Sequence, residues 1–321
     1  HLYTNELLPP TWIYWFYVVL GRLGFLATPF VLYNASLVIL SGSVLFLIWK
    51  ICTHIFGQKS TMALIAFLFI ITASNFPVLL SPSTPTNPTN PVPYLLGDFW
   101  FSPTPALNRL GGVPHQIFQT ILLFSIVILF SQKNFKFRIV LLSIFTFLSG
   151  SGSPMQMLIL LMATTVYTLI FTKKYSDLLI AIPALIGAWL TTKEFSLQPI
   201  LVLAKAWEDA QKVSISPWQF FVALGPIGVL IPFGVRSYMK TLTPLKTILL
   251  WYGSLSLVAF FSPLPALLHT SPMRWISPAS YILLPFLAAY GFQYISHMCK
   301  KVQSKNMLYG AIPVILLITY L

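Results

Sequence analysis

Charge is what this chain lacks most. Only 8% of its 321 residues are charged, and only six of those are acidic. A soluble domain carries about 25% charge, so a water-facing globule of this length is excluded. Cysteine is almost absent as well. Cys52 and Cys299 each lie beside a basic cluster, and without CxxC or Cys/His spacing neither a disulfide framework nor a zinc site is indicated. No Walker loop, HExxH or GxSxG stands in a fitting context. The glycine-rich "GSGSP" at 150–154 lies between two apolar runs and reads as a tight turn, not a phosphate cradle.

Apolar sequence is what the chain has in quantity. Hydrophobic residues make up 57%, and uncharged runs recur at the length of a bilayer-crossing helix, about 20 residues. Membrane β-strands would alternate apolar and polar over about ten positions, which these runs do not do. The sequence therefore predicts an all-α, polytopic transmembrane helix bundle with interfacial helices and no β domain. Spans are expected at about 31–49, 61–80, 114–131, 154–172, 218–235, 247–262 and 277–297, with a partial one at 307–321. Two shorter runs, 137–149 and 178–192, reach only about 20 Å against a hydrocarbon core of about 30 Å, and counting them brings the total to about ten. Segment 11–26 is crowded with aromatics around Arg22 and reads as an interfacial helix, with a further span as the alternative. The chain opens on His1 and stops inside "VILLITYL", so we take residues 1–321 as one transmembrane domain cut from a longer protein.

That layout sorts the charges. Thirteen Lys/Arg residues, among them Lys50, Lys59, Arg138, Lys173, Lys174, Arg236, Lys240 and Lys246, fall on one side, and six on the other. By the positive-inside rule the first side is cytoplasmic, and the protein is a multi-pass protein of the cell membrane. The net charge of +13 is then a topology signal: the expected partner is the lipid bilayer, with no nucleic acid. Glu6, Asp98, Glu194, Glu208 and Asp209 fall outside, and only Asp177 inside. The outer loops lie at about 81–113, 193–217 and 263–276.

The first of these loops opens with the extended "SPSTPTNPTNP" and ends in "GDFWFSPTPALNRLGGVPH". Asp98 there can act as a base or accept hydrogen bonds from sugar hydroxyls, with Trp100 as a further substrate contact. Arg109 suits a phosphate or carboxylate, and the plainer reading is a loop-closing ion pair with Asp98. His115 begins a helix, where a neutral imidazole is favoured; it is either a proton acceptor or a polar group at headgroup depth. In the second loop "PILVLAKAWEDAQK" has helical spacing and rests on the membrane, with Glu208 and Asp209 on its solvated face. In the third, Arg274 stands beside Trp275. It either grips a lipid phosphate bidentately or snorkels next to an interfacial tryptophan. His269 could add a second donor to the same phosphate, and Glu6 could approach an outward cavity bracketed by Asp98 and Arg109. No expected span has an ionisable residue near its middle, which argues against ion-coupled transport.

Three stretches, "PPTWIYWFYVVLGRLG", "GDFWFSPTPALNRLGGVPH" and "SPMRWISPASYILLPFLAAYGF", resemble the type C glycosyltransferase superfamily, and within it uncharacterised bacterial membrane proteins. The resemblance implies an enzyme that takes a sugar from a polyprenyl-phosphate donor on the extracytoplasmic face, with inversion, and passes it to a glycan, lipid or protein acceptor. It implies a carrier phosphate held by late outer-loop basic residues, which matches Arg274. It also implies a catalytic carboxylate directly after the first span; Glu6 is the only acid before the first clear span here, and Asp98 would be a second acidic residue. No cofactor is implied; a divalent metal is compatible, but no residue pattern asks for one. The alternatives are a transporter or flippase for a lipid-linked glycan, a membrane polysaccharide polymerase or ligase, and a non-catalytic accessory subunit.

Overall fold

The computed structural model describes residues 19, 21–25, 27–72, 114–132, 137–197, 202, 217–218, 220, 224–270, 272–298 and 309–312. All regular structure among them is helical. Proline sets many of the starts, because its missing N–H falls where a helix has no acceptor and its ring fixes φ at a helical value. Thus α1 is Pro29–Phe56, α3 is Pro114–Ser131, α5 is Pro154–Tyr167, α7 is Pro226–Lys240 and α8 is Pro244–Phe261. The hydroxyls of Thr28 and Thr243 cap α1 and α8 by accepting from Val31 N and Lys246 N, each at 3.4 Å. Between them lie α2 (Thr61–Thr72), α4 (Arg138–Gly152) and α6 (Ala181–Leu197), followed late in the chain by α9 (Leu264–Leu267), α10 (Met273–Pro278) and α11 (Leu284–Met298).

Five helical stretches among the described residues are long and apolar enough to cross a membrane: Phe30–Phe56, Pro114–Ser131, Pro154–Thr172, Tyr175–Glu194 and Pro244–Phe261. Several expected spans differ from the pattern: the one at 277–297 is interrupted by a π turn at Ala279–Leu283, and residues 73–80 and 313–321 of two others lie outside the described residues. The run at 178–192 is longer than its hydropathy suggests, because a 3₁₀ segment, Tyr175–Ile180, leads straight into α6. The expected span at 218–235 is broken at Gly225, whose φ of 58° ends any helix, and α7 starts afresh at Pro226. The run at 137–149 stays short, as α4 has 15 residues.

Packing divides the helices into two groups. In the first, α4 crosses α6 and leans on α3; in the second, α7 crosses α11, which also touches α2. Helix α8 joins the groups by lying against α5 and α3 and also against α10 and residues 279–283, and α1 lies against both α3 and α2. Both crossings are glycine contacts. A Cβ on Gly234 would overlap the carbonyl of Leu287, and one on Gly291 the carbonyl of Leu230. In the same way Gly150 meets Ala184 O and Gly187 meets Phe147 O. Such small-residue contacts let two backbones touch where no aqueous hydrophobic effect draws them together. Hydroxyls along the helices turn back on their own backbone, as Ser43 does to Ile39 O at 2.8 Å and Thr72 to Leu68 O at 2.7 Å. That lets polar residues sit on apolar helices with their donors satisfied.

Among the described residues, each group also buries one cation. Arg138, the first residue of α4, is 4% exposed, and Asp177, in the 3₁₀ segment, is 5% exposed. They form a bidentate pair, with Nη1 donating to Oδ1 at 3.1 Å and Nη2 to Oδ2 at 3.0 Å. The remaining guanidinium donors reach the C-terminal carbonyls of α3, Leu129 O at 3.0 Å and Phe130 O at 3.3 Å. In the second group Lys246, on the first turn of α8, is 3% exposed. Its ammonium donates to Thr241 O at 2.9 Å and Thr241 Oγ1 at 2.7 Å, with the Tyr290 ring 4.7 Å away and the Tyr238 ring 5.7 Å away. Tyr238 OH closes the turn by donating to Lys246 O at 2.9 Å.

Candidate functional site

The loop joining α8 to α11 shows how local chemistry can present a basic residue. Helix α8 ends at Phe261, and Ser262 Oγ accepts from Leu264 N at 3.2 Å to start the four-residue α9. The chain then reverses at His269, whose φ of 50° is left-handed. Thr270 ties the reversal down: its N–H donates to Pro265 O at 2.9 Å, and its hydroxyl accepts from the Trp275 indole at 2.9 Å. Trp275 is 0% exposed. It is therefore not the interfacial tryptophan of the sequence reading; it roots the loop in the core.

Directly below, the helix is broken. Pro278 has no N–H for Arg274 O, Ala279 N bonds Ile276 O, and Leu284 N reaches back to Ala279 O across a π turn, Ala279–Leu283. The Trp275 carbonyl is taken instead by the fully buried Ser256 hydroxyl of α8. The outcome is a short helix, α10, pinned from beneath at Trp275, with Arg274 exposed beside it. His269 is exposed on the same loop.

His115 is the second residue of α3 and half-buried. One turn further, Gln119 packs its amide against Gly152, at the end of α4. Of the "GSGSP" stretch expected as a tight turn, residues 150–152 are the helical end of α4; only Ser153, whose N–H bonds Ser149 O at 2.8 Å, separates it from α5 at Pro154. Around it lies an amide and hydroxyl cluster that hydropathy could not reveal. Gln156 is buried, Thr191 Oγ1 donates to Ser151 O at 2.5 Å, and Gln119 Oε1 and Ser149 Oγ are buried without a hydrogen-bond partner. Glu6, Asp98, Trp100 and Arg109 lie outside the described residues, as do Glu208 and Asp209. Of the expected site, the structure thus places Arg274 and His269 on one tied loop, and His115 on a different element. Among the described residues no group of three or more His, Cys, Asp or Glu could hold a metal ion.

The sequence reading missed the two buried cations. The signal for the first was visible: Asp177 is the lone acid on the basic side of the expected topology. Lys246 gave none, because a lysine near a helix start looks the same whether buried or exposed. Comparison with known protein families, curated proteins and solved structures finds no match for this chain.

Proposed function

We propose that the chain is the membrane-embedded body of a glycosyltransferase-like protein that moves a sugar from a polyprenyl-phosphate donor, with the α8–α11 loop on the extracytoplasmic face. The observation that carries this reading is Arg274, exposed on a helix that Trp275, Thr270 and Ser256 hold in place. A guanidinium carried on a helix held in that way can donate to two phosphate oxygens at once. In the proposed step a carboxylate, Asp98 or Glu6, takes the proton of the acceptor hydroxyl as its oxygen bonds the anomeric carbon. The bond from that carbon to the carrier phosphate breaks, and the phosphate leaves with the electron pair beside Arg274. The configuration inverts because attack comes from the opposite face.

The test is sugar transfer from a polyprenyl-phosphate donor by the protein in vesicles. Arg274→Ala is expected to lower turnover by about 10²–10³-fold, with Arg274→Lys recovering part of it and one of Asp98→Asn and Glu6→Gln, whichever removes the base, abolishing it. Equal turnover in Arg274→Ala and the parent would end this reading. Donor movement across the bilayer without transfer would replace it with the flippase.

A further inference from the structure

The second helix group has a charge imbalance that no described residue relieves. Residues 29–72 and 224–298 contain no Asp or Glu. Among the described residues the acids are Asp177, which is taken by Arg138, and Glu194, which lies on α6 in the other group. Yet two turns of the second group come together carrying cations. Phe56, at the end of α1, lies 4.8 Å from the Tyr290 ring, and Tyr290 in turn faces Lys246 and packs edge-on against Tyr238 at 5.3 Å. This links the α1–α2 turn, residues 57–60 with Lys59, to the α7–α8 turn, residues 241–243, which follows Arg236 and Lys240. Lys59, Arg236 and Lys240 are all exposed. Lys246 beneath them adds a buried positive charge whose two hydrogen bonds go to neutral oxygens.

The surface next to these cations is apolar. Val235, Met239 and Leu242 on the α7 side are exposed, and so are Tyr294 and Met298 on α11. A free anion has no use for such a border, whereas a lipid brings a charged head and acyl chains together. We propose that the α1–α2 and α7–α8 turns form a seat for the phosphate of an anionic phospholipid, with Lys59, Arg236 and Lys240 as its cations and the flanking apolar side chains against the acyl chains. The seat rests on the reading of these helices as membrane spans, and it is independent of any sugar chemistry at Arg274. Unlike a general attraction of basic loops to a charged leaflet, it is confined to one pair of turns.

The purified full chain is placed in vesicles of phosphatidylcholine alone or with added phosphatidylglycerol, and its thermal midpoint is read. The midpoint is expected to rise with phosphatidylglycerol and to lose most of that rise in high salt. The triple variant Lys59→Gln, Arg236→Gln, Lys240→Gln should lose most of the rise, while Lys173→Gln, Lys174→Gln, which removes two exposed lysines of the other group, should keep it. Native mass spectrometry of both variants, counting retained phosphatidylglycerol, gives the same comparison without relying on stability. Equal loss in the two variants would mean diffuse attraction and overturn the seat. An equal rise from inorganic phosphate in phosphatidylcholine vesicles would replace the lipid with a free anion. Failure to incorporate into vesicles would overturn the membrane spans and the seat together, whereas sugar transfer failing with the lipid effect intact would count only against the proposed enzyme.

Discussion

Arg138 and Lys246 do the same architectural work by opposite means. Each is a cation buried where two helices meet at a short connection. Arg138 is neutralised by Asp177, and its other donors cap the open carbonyls of α3. Lys246 has no carboxylate partner among the described residues; a threonine and two tyrosine faces surround it. The difference follows from shape. A planar guanidinium offers five N–H groups and needs many acceptors at once, whereas an ammonium has three protons and is content with two oxygens and an aromatic face. One buried cation is therefore balanced within the fold, and the other faces its surroundings with its charge intact.

Breaking the balanced anchor should have the largest effect. Asp177→Asn leaves a buried guanidinium without its counter-charge and is expected to cost about 3–5 kcal/mol, read by denaturant unfolding in micelles. Replacing both partners, Arg138→Met with Asp177→Leu, should recover most of that loss; no recovery would mean the pair does more than balance charge. Next come the helix crossings that the two groups share in kind. Gly291→Ala drives a methyl into Leu230 O and should cost about 1–3 kcal/mol, with Gly187→Ala similar, and the same denaturant unfolding measures both. Ser256→Ala frees the Trp275 carbonyl and should cost about 0.6–1.7 kcal/mol, the range for hydrogen bonds between membrane helices. The Lys246→Met change should be mildest, at about 1 kcal/mol or less, since it strands no opposite charge and keeps the stem volume. If Lys246→Met were as damaging as Asp177→Asn, the contrast between the anchors would collapse.

How much of this was legible beforehand depends on distance along the chain. Apolar runs bounded by proline gave α3 its observed limits and α8 nearly so, because span length and helix initiation are local properties. The break at Gly225 was hidden inside an apolar run, where hydropathy cannot register a backbone turn. The candidate site was legible only as residue types. Arg274 was visible, but that Trp275 beside it is an internal anchor depends on Thr270 and Ser256, and on a carbonyl freed by a π turn. Nor could spacing announce that Arg138 pairs with a residue 39 positions later.

That interval matters during synthesis. A ribosome adding about 5–20 residues per second needs about 2–8 seconds to make the chain between Arg138 and Asp177. Through that time the guanidinium must be held by other means, and the α3 carbonyls of Leu129 and Phe130, already made, are its acceptors. Asp177 then acts as a latch that arrives last. Nascent chains arrested before Asp177 should leave the start of α4 open to proteases, and chains arrested after α6 has emerged should protect it.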